Sequence, residues 1–264
     1  MSFQPAVFSP CIGICRLDPS GHCEGCHRTG SEIAAWLSFD DAMRLRYMDE
    51  ILPARAAAHL PHRQADVADF QRALLALSSV PEGPAWNRAE HADLLPDGTA
   101  LAPAAVLVGL VSREAGWQVM LTLRTEDLRT HAGQVSFPGG RIEAGDDDVL
   151  GAALRETQEE IGIAPSHIQP LGFLPDQIVL TGFRITPVVG LVRPDFELRV
   201  DSAEVAEVFE VPLEYLLAEN FRPTRRVLRG LELTLHDLHF EGRVIWGATA
   251  GMLQMLRAAL LAEP

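Results

Sequence analysis

The chain has 264 residues and a formal net charge of −14 at pH 7, with 47% hydrophobic and 22% charged residues. That length holds one sizeable α/β domain plus a small appendage, and no apolar run approaches the roughly 20 residues of a membrane span. All 22 basic residues are arginine, which excludes Schiff-base chemistry and a phosphate-loop lysine, and the acidic balance argues against generic nucleic-acid binding.

A cysteine cluster comes first in chain order. Cys11, Cys15, Cys23 and Cys26 are the four cysteines of the chain, spaced C-x3-C-x7-C-x2-C. Four thiolates this close can hold one zinc ion tetrahedrally or an iron–sulfur cluster, and two disulfides are the alternative. Met1–Pro10 lacks a basic start followed by an apolar stretch, so no export signal is expected and the expected location is cytoplasmic. A reducing compartment favours metal over disulfides. Ser9–Asp18, Cys23–Thr29 and Glu32–Trp36 together resemble a small bacterial four-cysteine domain, domain of unknown function 1289, over about residues 8–57. A segment of this size has too little core to fold well alone, and a metal clip would stabilise it. A structural role is therefore expected, and a protein partner for this module stays open.

The expected organisation is a four-cysteine module over residues 1–60 and a second domain over 61–264. His62–Leu77 reads as an entering helix, and Ser79–Ala102, rich in Pro, Gly, Asp and Ala, as a connecting loop. Ala104–Val111 reads as a buried strand, and Trp117–Arg124 alternates like a half-buried one. Val149–Ile161 has helical periodicity through Leu150, Ala153, Leu154, Thr157 and Ile161. Asp146, Asp147 and Asp148 suit its N-terminus, and Gly162 its end. Ile185–Leu191 and Leu231–Phe240 read as further strands. Gly251–Leu261 reads as a closing helix packed through Leu253, Met255, Leu256 and Leu260.

On the central helix, Glu156, Glu159 and Glu160 span about 100° of arc away from the apolar stripe. Like charges at this spacing repel by roughly 0.2–0.5 kcal/mol per pair unless something neutralises them. A hard divalent cation would do so; the alternative is a solvated acidic face. The order of residues decides. Gly140 through Ile163 resembles the Nudix box, G-x5-E-x7-R-E-U-x-E-E-x-G-U, matching at Arg155, Glu156, Glu159, Glu160, Gly162 and Ile163. Thr157 replaces the usual aliphatic residue, and Asp147 the first glutamate. The glycine falls one position early, at Gly140, a spacing found in the coenzyme A-cleaving branch of the family. Leu121–Thr125 followed by Leu128–Gly140 resembles the second signature of that branch, roughly L-L-T-x-R-S, a spacer, then R-x-x-x-G-x-x-x-F-P-G-G. The likeness runs over about residues 65–264 and is supported by Thr181–Phe183, Thr186–Gly190, Glu204–Leu213 and Ile245–Ala250.

The resemblance implies a Nudix-type α/β/α sandwich around a mixed sheet. It implies an enzyme that uses Mg²⁺ or Mn²⁺ to split coenzyme A or acyl-coenzyme A into 3′,5′-ADP and (acyl-)4′-phosphopantetheine. Other nucleoside diphosphate derivatives such as ADP-ribose or NADH, and a non-enzymatic nucleotide-sensing role, stay open, as does a homodimer. By the same resemblance, Glu156 and Glu160 would be the principal cation ligands, completed by Glu159 and the Gly140 carbonyl. Arg155 would orient a neighbouring carboxylate. Glu204, with Glu207 as the fallback, would be the base that activates water. Arg124, Arg129 and His131 would bind substrate; arginine's planar fork suits phosphate.

Overall fold

A run of eight buried residues, Ala104–Val111, forms the centre of the larger part of the molecule. A strand covered on both faces reads as a continuous apolar run rather than an alternation. In this computed structural model, residues 9–11, 16–18, 21–23, 26–52, 55, 66–89, 94–95, 98–128, 130–218, 220–228 and 230–262 are described. The chain separates into two compact units, Met1–Arg63 and Gln64–Pro264.

In the first unit, α1 (Gly30–Ala35) is closed by a capping box. Thr29 Oγ1 accepts from the Glu32 N–H, and the Glu32 carboxylate accepts from the Thr29 N–H. A second helix, α2 (Asp41–Arg46), is capped by Asp40. Cys23, Cys26, Trp36, Met48 and Leu52 are buried. Glu32 accepts two bonds from the Arg55 guanidinium, at 2.6 and 2.8 Å, and one from Tyr47 Oη at 3.0 Å. These contacts, led by Arg55, hold the Glu32 pKa down at about 2.

In the second unit, β1 (Ala102–Arg113) lies parallel to β7 (Phe183–Val192) and antiparallel to β2 (Gly116–Arg124). The sheet is mixed and also contains β3 (Val135–Ser136), β4 (Gly139–Arg141), β5 (Ile168–Phe173), β6 (Gln177–Val179) and β8 (Val205–Pro212). A second sheet holds β9 (Phe221–Leu228), β10 (Leu231–Phe240) and β11 (Arg243–Ile245). The helices are α3 (Val67–Ala73), α4 (Val149–Ile161), α5 (Leu213–Leu217) and α6 (Gly247–Leu261).

Alternation along β1 builds the layers. Val106, Val108 and Leu110 join Phe70 of α3 and Met252, Leu253, Met255 and Leu256 of α6 on one face. Leu107 and Val111 join Ile161 on the other, and Ala105 packs with Ala152 and Ala153 of α4. The result is the expected α/β/α sandwich around a mixed sheet. Among the described residues no helix is long and apolar enough to cross a membrane.

Several expectations need correction. The entering helix is Val67–Ala73, not His62–Leu77; residues 62–65 lie outside the described ones. Leu74 turns extended (φ −105°, ψ 156°), and Leu75 exchanges two 2.9 Å backbone bonds with Phe173, which take the place of further helical turns. The closing helix begins four residues early, at Gly247. Of the three aspartates before α4, only Asp148 is its N-cap, accepting from the Gly151 N–H at 2.8 Å. Gly162 ends α4 in the left-handed region, φ 80°.

Candidate active site

The helix α4 carries Arg155, Glu156, Glu159 and Glu160 against β4. Glu160 does not lie on the solvent side of the helix: it is 4% exposed, on the face shared with Thr157 and Ile161. One of its oxygens accepts the Gly139 N–H at 3.3 Å, and the other faces Arg124 Nη1 at 3.6 Å. Burial pushes its carboxyl up to about 7, against the opposing pull of Arg124. Burial also raises Glu156, again opposed by an arginine, Arg155.

Glycine is required beside both carboxylates, for different reasons. At Gly139, φ is 153° and a Cβ would stand 2.4 Å from the Ala105 carbonyl oxygen. Gly140 has no such backbone demand, but its Cβ would stand 2.5 Å from Glu156 Oε1. The Glu156 carboxylate therefore lies directly on the Gly140 backbone.

Arg155 gathers the acids. Its Nε and Nη2 donate to Asp146 at 2.8 and 3.1 Å, its Nη1 to Glu156 at 3.0 Å and Glu159 at 2.9 Å, and its Nη2 also to the Arg141 carbonyl. The Asp146 pair leads in raising the Arg155 pKa, and Arg155 in turn lowers that of Asp146. Asp146 is a part of the site that the sequence reading placed only at the helix start. The two-residue offset from the cap in an Asp-Asp-Asp run was the available signal.

The two candidate bases separate. Glu204 faces Arg124 Nη2 at 3.7 Å, is about half exposed (48%), and adds its field to that of Glu156 and Glu160. Glu207 is bound by Arg243 of β11 through two nitrogens, at 2.6 and 3.3 Å. Arg124 thus stands between Glu160 and Glu204, with its Nε buried and unpartnered. His131 is exposed, has φ 59°, and pairs its Nδ1 with Gln134 Oε1 at 2.9 Å. Arg129 lies outside the described residues.

A cavity of about 940 Å³ opens beside this cluster. Arg124, His131, Gly139 and Gly140 line one part of it, and Gln177, Ile178, Ile185, Leu235, Trp246 and Met252 another. Such volume and mixed lining suit a small organic ligand.

Among the described residues no group of three or more His, Cys, Asp or Glu side chains is gathered into a ready cation cage. The donor set nonetheless fits a hard dication. It offers carboxylate oxygens from Glu156, Glu159, Glu160 and Glu204, two of them with raised proton affinity, and a glycine backbone against Glu156. In the first unit, Cys23 and Cys26 are buried and Cys11 is exposed, while Cys15 lies outside the described residues. The Arg28 Nε donates to Cys26 Sγ at 3.3 Å.

Residues 101–229 match the NUDIX domain, and residues 9–55 match the family described as protein of unknown function DUF1289. The uncharacterized Nudix hydrolase NudL of Citrobacter koseri is 40% identical over 162 residues, covering 61% of this chain and 84% of its own. The uncharacterized NudL of Escherichia coli O6:H1 is 40% identical over the same shares. Among solved structures, the NUDIX domain of Shewanella oneidensis NrtR, complexed with ADP ribose, aligns with 65% of this chain and 97% of its own, at 17% identity and a TM-score of 0.40. The chain belongs to the Nudix hydrolases. It is a hydrolase of a family that generally uses divalent cations such as Mg²⁺ or Mn²⁺.

Proposed function

We propose that this Nudix hydrolase splits the diphosphate of coenzyme A or an acyl-coenzyme A, releasing 3′,5′-ADP and the corresponding 4′-phosphopantetheine. The observation that carries this reading is the cavity, cationic and glycine-lined beside the carboxylates and lined beyond them by apolar side chains such as Ile178, Ile185, Leu235 and Trp246 interspersed with polar ones such as Gln177 and Thr234. It complements a ligand with a compact anionic centre and a long uncharged arm. The sequence signature over Leu121–Gly140 supports the same substrate.

When bound, Mg²⁺ or Mn²⁺ would neutralise the diphosphate and acidify a water. Glu156 and Glu160 would hold it, with Glu159 and the Gly140 carbonyl completing the set. Arg155 fixes Glu156 and Glu159 through one nitrogen, so a single side chain sets the spacing of two acids. The Gly139 N–H fixes Glu160. Arg124 contacts its two carboxylates only at 3.6 and 3.7 Å, longer than good charge-assisted bonds. Its guanidinium is thus available to turn toward a phosphate oxygen. Glu204, half exposed and met by Arg124 only at 3.7 Å, would take the proton from the attacking water. His131, braced by Gln134, lines the approach on the nucleotide side. At the first unit, Zn²⁺ or an iron–sulfur cluster at Cys11, Cys15, Cys23 and Cys26 would serve a structural role.

The reading is tested by kcat/KM for coenzyme A, acetyl-coenzyme A, ADP-ribose and NADH measured in parallel with Mg²⁺ and with Mn²⁺. It predicts that the coenzyme A compounds lead by at least about tenfold. ADP-ribose or NADH cleaved as well or better contradicts it.

A further inference from the structure

Gln177 is a polar residue in the cavity wall that the proposed chemistry leaves unused. It opens β6, is 4% exposed, and lines the cavity. Its Oε1 is buried without a hydrogen-bond partner. The closing helix is shaped around this amide: a Cβ on Gly251 would stand 2.5 Å from Gln177 Nε2. A buried acceptor left unpaired destabilises the free protein, whereas an apolar side chain of the same shape would not. A partner that arrives with a ligand accounts for a glutamine there. A half-turn of the amide exchanges its oxygen and nitrogen, so either can meet that partner.

The sheet register locates it. Gln177 pairs with Ile185, Ile185 with Ala104, and Ala104 with Arg141. Three strand spacings of about 4.8 Å put Gln177 about 14 Å from the Gly140–Arg141 edge. Arg124 ends β2, and His131 lies in the loop between β2 and β3, a pair of strands on the other side of β1 from β7. A diphosphate centred at Gly139–Gly140 would have Arg124 and His131 on one side and Gln177 on the other; the two further arginines of the wall are Arg141, stacked over the Phe183 ring, and Arg257, whose Nε donates to the Leu217 carbonyl.

We propose that Gln177 is a specificity residue that hydrogen-bonds the outer amide of the substrate's pantetheine arm. This rests on the coenzyme A reading above. The Arg124 guanidinium and the His131 ring offer donors to the phosphorylated nucleotide half, and the uncharged arm then runs along Ile178, Ile185 and Trp246. Ten bonds separate the diphosphate phosphorus from the outer amide nitrogen, about 12 Å when extended. That reach matches the distance set by the register. A secondary amide offers one N–H and one C=O, which a glutamine amide can meet.

The test uses the full chain and Gln177→Met, which keeps length and removes both polar atoms. Calorimetry without added divalent cation measures 4′-phosphopantetheine and 3′,5′-ADP separately. The expected result is about tenfold weaker binding of 4′-phosphopantetheine, the worth of one hydrogen bond, unchanged 3′,5′-ADP binding, and a Tm at or above that of the wild type. KM for coenzyme A should rise about tenfold with kcat little changed. Unchanged 4′-phosphopantetheine binding overturns the proposal. Loss of 3′,5′-ADP binding instead assigns Gln177 to the nucleotide and also overturns it, as does loss of both with a lowered Tm. In the wild-type protein, a coenzyme A analogue with an ester in place of the outer amide tests the same bond without any substitution; equal binding overturns the proposal. If the wild type neither binds 4′-phosphopantetheine nor cleaves coenzyme A, the coenzyme A reading itself has failed and takes the proposal with it.

Discussion

Replacing Gly140 with alanine separates positioning from folding at the candidate active site. The backbone there tolerates alanine, since Gly140 is not among the positive-φ glycines. The three atoms nearest the added Cβ all belong to the Glu156 carboxylate, at 2.5, 2.6 and 2.8 Å for Oε1, Cδ and Oε2. Ordinary contact begins near 3.4 Å, so the carboxylate must retreat by about 1 Å. It is the far end of a flexible side chain, and an off-rotamer adjustment costs about 0.5–1.5 kcal/mol. The loss of chain entropy at glycine returns about 0.4–1 kcal/mol, so stability should stay within about 1 kcal/mol of wild type. A misplacement of about 1 Å in a catalytic constellation costs about 100-fold in rate, or about 2.7 kcal/mol of barrier. Thermal denaturation and kcat/KM with saturating Mg²⁺ measure the two effects. Gly139→Ala is the contrast: its Cβ meets the Ala105 backbone in a left-handed conformation, so the fold itself should suffer. Full activity in Gly140→Ala, or a Tm as low as that of Gly139→Ala, refutes the reasoning.

Further substitutions test the other assignments. Glu204→Gln should cut kcat by about 100-fold with Tm unchanged, whereas Glu207→Gln should cost about 0.5–1 kcal/mol of stability through Arg243 and leave kcat intact; the reverse pattern in kcat and urea titrations reassigns the base. Arg155→Lys keeps charge but loses the fork that reaches Asp146, Glu156 and Glu159 together, so kcat/KM should fall about 10–100-fold; wild-type kinetics would remove Arg155 from the positioning role. In the first unit, the Glu32 pKa is depressed from 4.5 to about 2, so its stabilisation is fully present above about pH 4.5 and is lost as pH falls toward 2. The shift corresponds to about 3 kcal/mol, which solvent screening reduces to about 1–2. Glu32→Gln should flatten the stability of this unit between pH 5 and 2.5 on the full chain, followed by tryptophan fluorescence; an unchanged slope sinks the assignment.

The sandwich was legible wherever an element was long. Val149–Ile161 shows its period and both ends, and the eight-residue run of β1 shows burial on two faces. The two- and three-residue strands β3, β4, β6 and β11 carry no period to read. The extent of the entering helix was overdrawn because Leu74–Leu77 keeps helical composition while the backbone of Leu75 is claimed by Phe173. At the site, residue order identified the glutamates, but not that Glu160 is buried, because that depends on β4 and Arg124 packing over it. Glu204 and Glu207 are equivalent in sequence; Arg243, 36 residues after Glu207, distinguishes them. Gln177 carries no local signal at all, since only the meeting of β6 with Gly251 of α6 leaves its amide buried in the wall of a cavity.

Product identification by mass spectrometry tests the central claim most directly. Coenzyme A is incubated with Mg²⁺ and the wild-type chain, with Glu160→Gln, and with the wild type in excess chelator. The account predicts 3′,5′-ADP and 4′-phosphopantetheine in equal amounts from the wild type, and at least about 100-fold less from the other two, with Glu160→Gln folded by circular dichroism. Intact coenzyme A in the wild-type sample, or equal product from Glu160→Gln, contradicts it.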